Sequence, residues 1–193
     1  MTIGNLVLAQ RVPKQTLVAV DPGKDACGVS FWTRPGPGLR VPWTLEHVYA
    51  VEALPVIGST STGYLDPQLW MASARPVFMT FPEPPTFLVL ETMQVYVRGT
   101  GDPKDLLLLQ GISGCLMGLC GTSKGIGLLP AQYKGQVPRA VYGARMEKHL
   151  RAGLWERVSV PRKKTFLNDA CHAYGLGKAA TDKSLPDVLF PCA

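Results

Sequence analysis

Two acidic residues close runs that are otherwise apolar. Leu17-Val18-Ala19-Val20 ends in Asp21, and Phe87-Leu88-Val89-Leu90 ends in Glu91. A carboxylate at the end of a buried strand costs free energy unless something compensates it, and a metal ion is the usual compensation. On its own segment Asp21 is read equally well as the first residue of an Asp21-Pro22-Gly23 turn. A second acid at a strand end changes that balance. If the two strands are neighbours, both carboxylates emerge at one sheet edge and repel each other unless hard cations sit between them. Oxygen-rich sites of that kind suit Mg²⁺ or Mn²⁺. Two such ions about 3.5–4 Å apart would clamp the attacking and leaving oxygens of a phosphodiester during in-line displacement. That chemistry asks for a third or fourth acid, and Asp187, Asp182 and Asp169 are the candidates toward the C-terminus.

The elements that must hold these residues are legible in outline. The run ending at Asp21, the Pro-Gly turn and the apolar run from Ala26 to Trp32 read as two antiparallel strands. Arg34-Pro35-Gly36-Pro37-Gly38 is a loop, and a third strand falls within 42–54. Asp66-Pro67 and Asp102-Pro103 each open a helix, with Asp as cap and Pro at the first helical position. The second, over 102–120, is apolar nearly all round and therefore central. Thr86 to Leu90 is a short continuous apolar run, as in a strand buried on both faces. Residues 125–129 read as another strand, 132–136 as a polar loop and 138–150 as a basic amphipathic helix. A further helix over 161–174 is stopped by Gly175 and Gly177. This order predicts an α/β fold, a mixed sheet with helices on its faces.

The chain has 193 residues, which suits one well-packed domain spanning 1–193, with 1–15 an irregular lead-in. Hydrophobic content of 46% against 18% charged residues argues for a globular protein rather than a disordered one. The net charge of +6, from 20 Lys+Arg and 14 Asp+Glu, favours a polyanionic partner such as nucleic acid. Cys27, Cys115, Cys120, Cys171 and Cys192 show no zinc-type spacing, and an odd number of mostly core-like cysteines suits a reducing setting. No signal peptide and no membrane-spanning run is evident, so a cytoplasmic location with no membrane partner is expected.

The motifs together resemble a known family. Val18-Ala19-Val20-Asp21-Pro22-Gly23 followed by Gly28-Val29-Ser30 looks like the opening of the RuvC Holliday-junction resolvases, members of the ribonuclease H-like superfamily. Leu88-Val89-Leu90-Glu91 with Gln94-Val95-Tyr96 resembles their second acidic strand and the loop after it. Leu108-Leu109-Gln110-Gly111-Ile112-Ser113-Gly114 is similar to their central helix. Pro130-Ala131-Gln132-Tyr133-Lys134-Gly135 resembles a segment of bacteriophage members. Phe166 to Gly177 and Ser184-Leu185-Pro186-Asp187-Val188-Leu189 resemble the closing helices, where an Asp or His precedes the last catalytic Asp by three positions. Here that position is Ser184, so a fourth ligand is either missing or supplied by Asp182, Ser184 or water.

The resemblance implies a ribonuclease H-like fold, a mixed central β-sheet flanked by α-helices. It implies an endonuclease that resolves four-way DNA junctions with two Mg²⁺ ions (Mn²⁺ as a substitute). Asp21, Glu91, Asp187 and Asp182 would be metal ligands, and Lys183 would lie near the scissile phosphate. Gln94, Tyr96 and Arg98 would meet the junction, with Tyr96 stacking at its centre. Branched DNA as partner, a homodimer matched to the junction's two-fold symmetry, and a bacterial or phage-infected cytoplasm follow by the same analogy.

Lys134, Arg139, Arg162, Lys163 and Lys164 belong to a basic second half of the chain. They are expected to contact phosphates, the alternative being an ordinary solvated surface. Asp169 reads as a helix-surface acid; His172, one turn later, could be a ligand, though a lone helical histidine is more often structural; His47 and His149 carry no signal. Two other functions stay open: a DNA-binding module of this fold without catalysis, and a related nuclease acting on other branched or replicative DNA. A sugar-kinase or actin-like ATPase also begins with a strand ending in Asp-x-Gly, but it needs two such domains, and this chain has room for one.

Overall fold

β1 (Gln15–Asp21), β2 (Ala26–Arg34) and β4 (Phe87–Glu91) are buried along their whole length. These β-branched, aromatic and aliphatic runs have no polar face to give to water, so they form the middle of a sheet covered on both sides. A computed structural model of the protein describes residues 14–23, 26–36, 42–52, 67–92, 103–122, 124–160 and 164–191. The side chains of 67–70, 103–104 and 164 fall outside that description. Of the sequence expectations, the lead-in through residue 13, the caps Asp66 and Asp102, and Cys192 also lie outside it.

The sheet has six strands in the order β5-β4-β1-β2-β3-β6, with β3 at Thr44–Glu52, β5 at Gly125–Leu128 and β6 at Val158–Ser159. β1 runs antiparallel to β2, β2 antiparallel to β3, and β1, β4 and β5 are mutually parallel. β6 was not foreseen; it adds to β3 by a two-residue parallel pairing.

Alternation along the strands sorts the core into two layers. Val18, Val20, Leu88 and Leu90 pack toward α1 (Pro67–Met79) and α2 (Pro103–Cys120), meeting Ala74, Val77, Ile112 and Leu116. Leu17, Ala19, Phe87 and Val89 face the other way, onto α5 (Lys164–Asp182), through Ala170, Cys171, Tyr174 and Leu176. Each fully buried Leu, Val or Phe here contributes about 1.5–3 kcal/mol relative to exposure. Among the described residues no helix is long and apolar enough to cross a membrane.

Three short elements complete the α5 layer: α3 (Pro130–Tyr133), α4 (Arg139–Arg151) and α6 (Leu185–Leu189). Two expectations are corrected there. The segment 132–136 is not wholly loop, because Pro130 opens a single helical turn that carries Tyr133. Nor does α5 stop at Gly175 and Gly177. Those glycines lie where the helix is pressed closest to its neighbours: a Cβ at 175 would come 2.2 Å from Tyr142 Oη, and one at 177 would come 2.3 Å from Trp32 Nε1. Close packing outweighs the ~1 kcal/mol that a helical glycine costs, and α5 continues to Asp182.

Candidate active site

Asp21 shares its face of β1 with Leu17 and Ala19, and Glu91 shares its face of β4 with Phe87 and Val89, so both carboxylates lie on the side covered by α5. Val20 pairs with Leu90 in the parallel register, which brings the next residues, Asp21 and Glu91, to adjoining positions on strands about 4.8 Å apart. Asp21 is 1% exposed and Glu91 6%. Burial, opposed by Arg139 and reinforced by the charges of Glu91 and Asp169, pushes the Asp21 carboxyl up to about 8.

α5 begins directly above this edge and supplies two more groups. Asp169 and His172, three residues apart, occupy one face of the helix. The approach is possible because β2 has Gly28 opposite Asp21. From α4, Arg139 Nη2 donates to Asp21 Oδ2 at 2.7 Å and to Asp169 Oδ1 at 2.9 Å, tying the strand carboxylate to the helix carboxylate. Although burial works against its charge, these carboxylates raise the Arg139 guanidinium above its already high value. From α3, the Tyr133 hydroxyl donates to Glu91 Oε2. Its burial and the charges of Asp21 and Glu91 hold it far above the ordinary phenol range, so it remains a donor at every working pH.

His172 is fully buried, and its environment fixes its tautomer. Nε2 lies 3.0 Å from the Arg139 carbonyl, which can only accept, so Nε2 carries the proton. Burial and the Arg139 charge lower its pKa to about 3, which keeps the ring neutral. Nδ1 therefore presents a lone pair to the site, 3.4 Å from Tyr133 Oη, whose proton is given to Glu91. A histidine whose other nitrogen is anchored on a backbone carbonyl is the usual arrangement of a metal-ligating imidazole.

The donor set fits a divalent cation. Asp21 Oδ1 is buried with no hydrogen-bond partner among the described residues, so one oxygen of the most buried carboxylate is left for a ligand. Glu91, Asp169 and His172 Nδ1 converge on the same edge. Among the described residues, however, no group of three or more His, Cys, Asp and Glu side chains stands in metal-holding geometry. The physical reason is visible: the Arg139 guanidinium lies between Asp21 and Asp169, and the Tyr133 hydroxyl takes an oxygen of Glu91.

Three solved structures share this architecture. Thermus thermophilus RuvC matches with TM-score 0.52 and 16% identity, over 88% of this chain and 97% of that one. The yeast mitochondrial Holliday junction resolvase Ydc2 matches with TM-score 0.58 and 12% identity, over 94% and 84%. The fowlpox virus resolvase, solved with substrate Holliday junction DNA, matches with TM-score 0.51 and 14% identity, over 86% and 99%. The chain has the ribonuclease H-like fold of the Holliday junction resolvases. No protein-family model and no curated protein matches the sequence.

Within this fold, several residues expected at the site lie elsewhere. Asp187 does not join the cluster. It sits on α6, where Arg34 Nη1 donates to its Oδ2 at 2.8 Å and Nη2 donates to Oδ1. Arg34 pairs with Gln15, at the start of β1, whereas Asp21 is at its end. Six residues of strand, about 20 Å at ~3.3 Å per residue, separate the two ends. Asp182 is likewise displaced, about 20 Å beyond Asp169 at ~1.5 Å of helix rise per residue, and it accepts from Lys178 Nζ at 2.7 Å. Lys183 donates to the Gln132 carbonyl at 2.6 Å and touches no carboxylate of the cluster. Because α5 runs the length of the sheet, only its beginning can meet Asp21.

The basic residues divide. Arg139, expected on the DNA-facing surface, is inside the carboxylate cluster. Lys134 Nζ lies over the Tyr133 ring at 5.5 Å. Lys164 begins α5, its side chain outside the described residues. Gln94, Tyr96, Arg98, Arg162 and Lys163 lie outside the described residues altogether. Of the other groups here, Asp169 is among the candidate acids of the sequence but ranks below Asp187 and Asp182, His172 reads more readily as structural than as a ligand, and Tyr133 was not foreseen. The first two had a legible signal, an acid and an imidazole three apart on one helix; Tyr133 had none.

Proposed function

We propose that the chain is a divalent-metal-dependent endonuclease that cuts branched DNA, most simply four-way junctions. The observation that carries this reading is the meeting of Asp21 and Glu91, on adjoining strand ends, with Asp169 and His172 from the start of α5. The fold shared with resolvases, one of them solved on junction DNA, supports it.

Asp21, Glu91, Asp169 and His172 Nδ1 would hold Mg²⁺ or Mn²⁺ in this reading. Such ions, when bound, activate water and stabilise the departing 3′-oxygen. The chain's own residues prepare that edge. Tyr133 orients Glu91, the Arg139 carbonyl orients His172, and the apolar strands keep Asp21 away from bulk water. Arg145 and Lys148, exposed on α4, supply positive charge for phosphates beside the site. A junction needs paired nicks, so a homodimer belongs to this reading. α2 offers a surface for it, with Leu107 59% exposed and open space beside Gly114 and Gly118.

The test is nicking of a synthetic four-way junction in Mg²⁺. Asp21→Asn and Glu91→Gln should abolish nicking while leaving junction binding intact. A second reading, a module that binds junctions without cutting them, is favoured by Arg139 holding Asp21 and Asp169. Tight binding by the wild-type protein with no nicking in Mg²⁺ or Mn²⁺ would select it.

A further inference from the structure

Arg139 is one cation serving an acidic cluster, and it occupies the oxygens that a divalent ion would need. One nitrogen, Nη2, reaches both Asp21 Oδ2 and Asp169 Oδ1. Its two ends are held very differently. The backbone is pinned, since its carbonyl accepts from Nε2 of the buried His172 at 3.0 Å. The side chain is 44% exposed and so lies at the mouth of the site, in contact with solvent. A guanidinium on four rotatable bonds can leave the carboxylates without moving α4, and it would leave His172 oriented as it is.

What meets Arg139 at the mouth follows from the proposed function, on which this inference rests. A phosphodiester approaching Asp21 and Asp169 must pass the guanidinium, whose planar fork matches phosphate oxygens as well as carboxylate oxygens. We propose that Arg139 is an exchangeable counter-cation: it holds Asp21 and Asp169 together until a divalent ion takes their oxygens, and then turns to the phosphodiester. Two ligands that compete for one set of oxygens are negatively coupled, and the coupling is reciprocal. Divalent-ion binding therefore releases the guanidinium for DNA, and removing the guanidinium improves divalent-ion binding. Arg139 is a positioning residue for the carboxylates in one state and a phosphate contact in the other.

Two measurements on the whole chain test this. The first is Mn²⁺ binding without DNA, by calorimetry, for the wild type, Arg139→Gln and Arg139→Lys. Arg139→Gln should bind Mn²⁺ about tenfold more tightly, with Arg139→Lys between the two, since an ammonium lacks the fork. The second is junction binding with and without Ca²⁺. Arg139→Gln should weaken binding about fivefold in Ca²⁺ and leave it unchanged in EDTA. A structural role for Arg139 would instead weaken both alike. Equal or weaker Mn²⁺ binding by Arg139→Gln, or the same DNA loss in Ca²⁺ and EDTA, overturns the proposal. If Arg139→Gln does not fold, Arg139→Lys carries both comparisons. If the wild type, Arg139→Gln and Arg139→Lys all fail to bind Mn²⁺, the metal-nuclease reading falls, and this inference falls with it.

Discussion

Gly28 and Asp169 are in backbone contact: a Cβ at position 28 would lie 1.9 Å from the Asp169 carbonyl oxygen. β2 has no side chain at the residue paired with Asp21, and α5 uses that space to bring its first turns down onto the sheet. The first prediction follows directly. Gly28→Ala forces α5 away from β2 at the one place where Asp169 must approach Asp21. The expected cost is about 1–3 kcal/mol, as for other overpacked interiors, read by urea denaturation. Junction nicking should fall further than the fraction unfolded accounts for. Unchanged stability would mean that α5 does not press on Gly28.

The second prediction separates the two ends of the sheet. Asp169→Asn and His172→Ala remove groups beside Asp21, and each should reduce junction nicking by orders of magnitude. Asp182→Asn and Asp187→Asn alter groups about 20 Å away and should leave nicking within a factor of a few. Loss of nicking in Asp187→Asn beyond what its unfolded fraction accounts for would put the third acid back at the C-terminus and overturn the assignment to Asp169.

Arg34 and Asp187 give a third prediction, concerning stability and acid. Arg34 is 6% exposed, donates through Nε to Gln15 at 2.7 Å, and lies over the Trp43 ring at 4.6 Å. Its hydrogen bonds to Asp187 hold that carboxyl below its ordinary value of 3.8, against a smaller opposing effect of burial. A carboxyl depressed by folding stabilises the native state fully above its unfolded value and loses that contribution as pH falls through its folded value. Asp187→Asn should therefore be less stable than the wild type at neutral pH, by about 1 kcal/mol. That figure is discounted because the carboxylate side chain is 47% exposed. The gap should close as pH drops below 3.8. A gap independent of pH would show that the ion pair is not its source.

The fold was largely legible because its central strands are continuous apolar runs, and the two that end in an acid could be picked out by that interruption. Asp21 and Glu91 stand out as candidates in this way, and the structure sets them side by side through the parallel register of β1 and β4. Asp169 and His172 carry a local signal, three apart on one helix, but their meeting with Asp21, and the inward turn of Tyr133 and Arg139, depend on tertiary contacts. Gly175 and Gly177 read as helix stops, but they are contact points for Tyr142 and Trp32. It is the resemblance of 184–189 to the family's closing helices that implies Asp187, with Asp182 as a further ligand. Continued through the glycines, the helix carries those acids to the far end of the sheet, and its own beginning supplies Asp169 and His172. Arg139 was legible as a cation but not as one aimed inward, because the residues that attract it come from β1 and α5.

Tyr133 gives the last prediction. Its ring packs edge-on against Tyr142, with centroids 5.5 Å apart and an interplanar angle of 82°, and its hydroxyl donates to Glu91. Tyr133→Phe keeps the ring and removes only the donor, leaving a carboxylate that is 6% exposed without that partner. Losing a hydrogen bond to a buried charged group costs about 1–3 kcal/mol, and this loss should appear in urea denaturation carried out in EDTA. A divalent ion that binds the native site stabilises it by mass action, and it can satisfy the same Glu91 oxygen. The deficit of Tyr133→Phe should therefore shrink in Mg²⁺ or Mn²⁺, while Glu91→Gln should show no such recovery. Equal deficits with and without the ion would mean that Tyr133 supports packing alone and that Glu91 is not the group the ion meets.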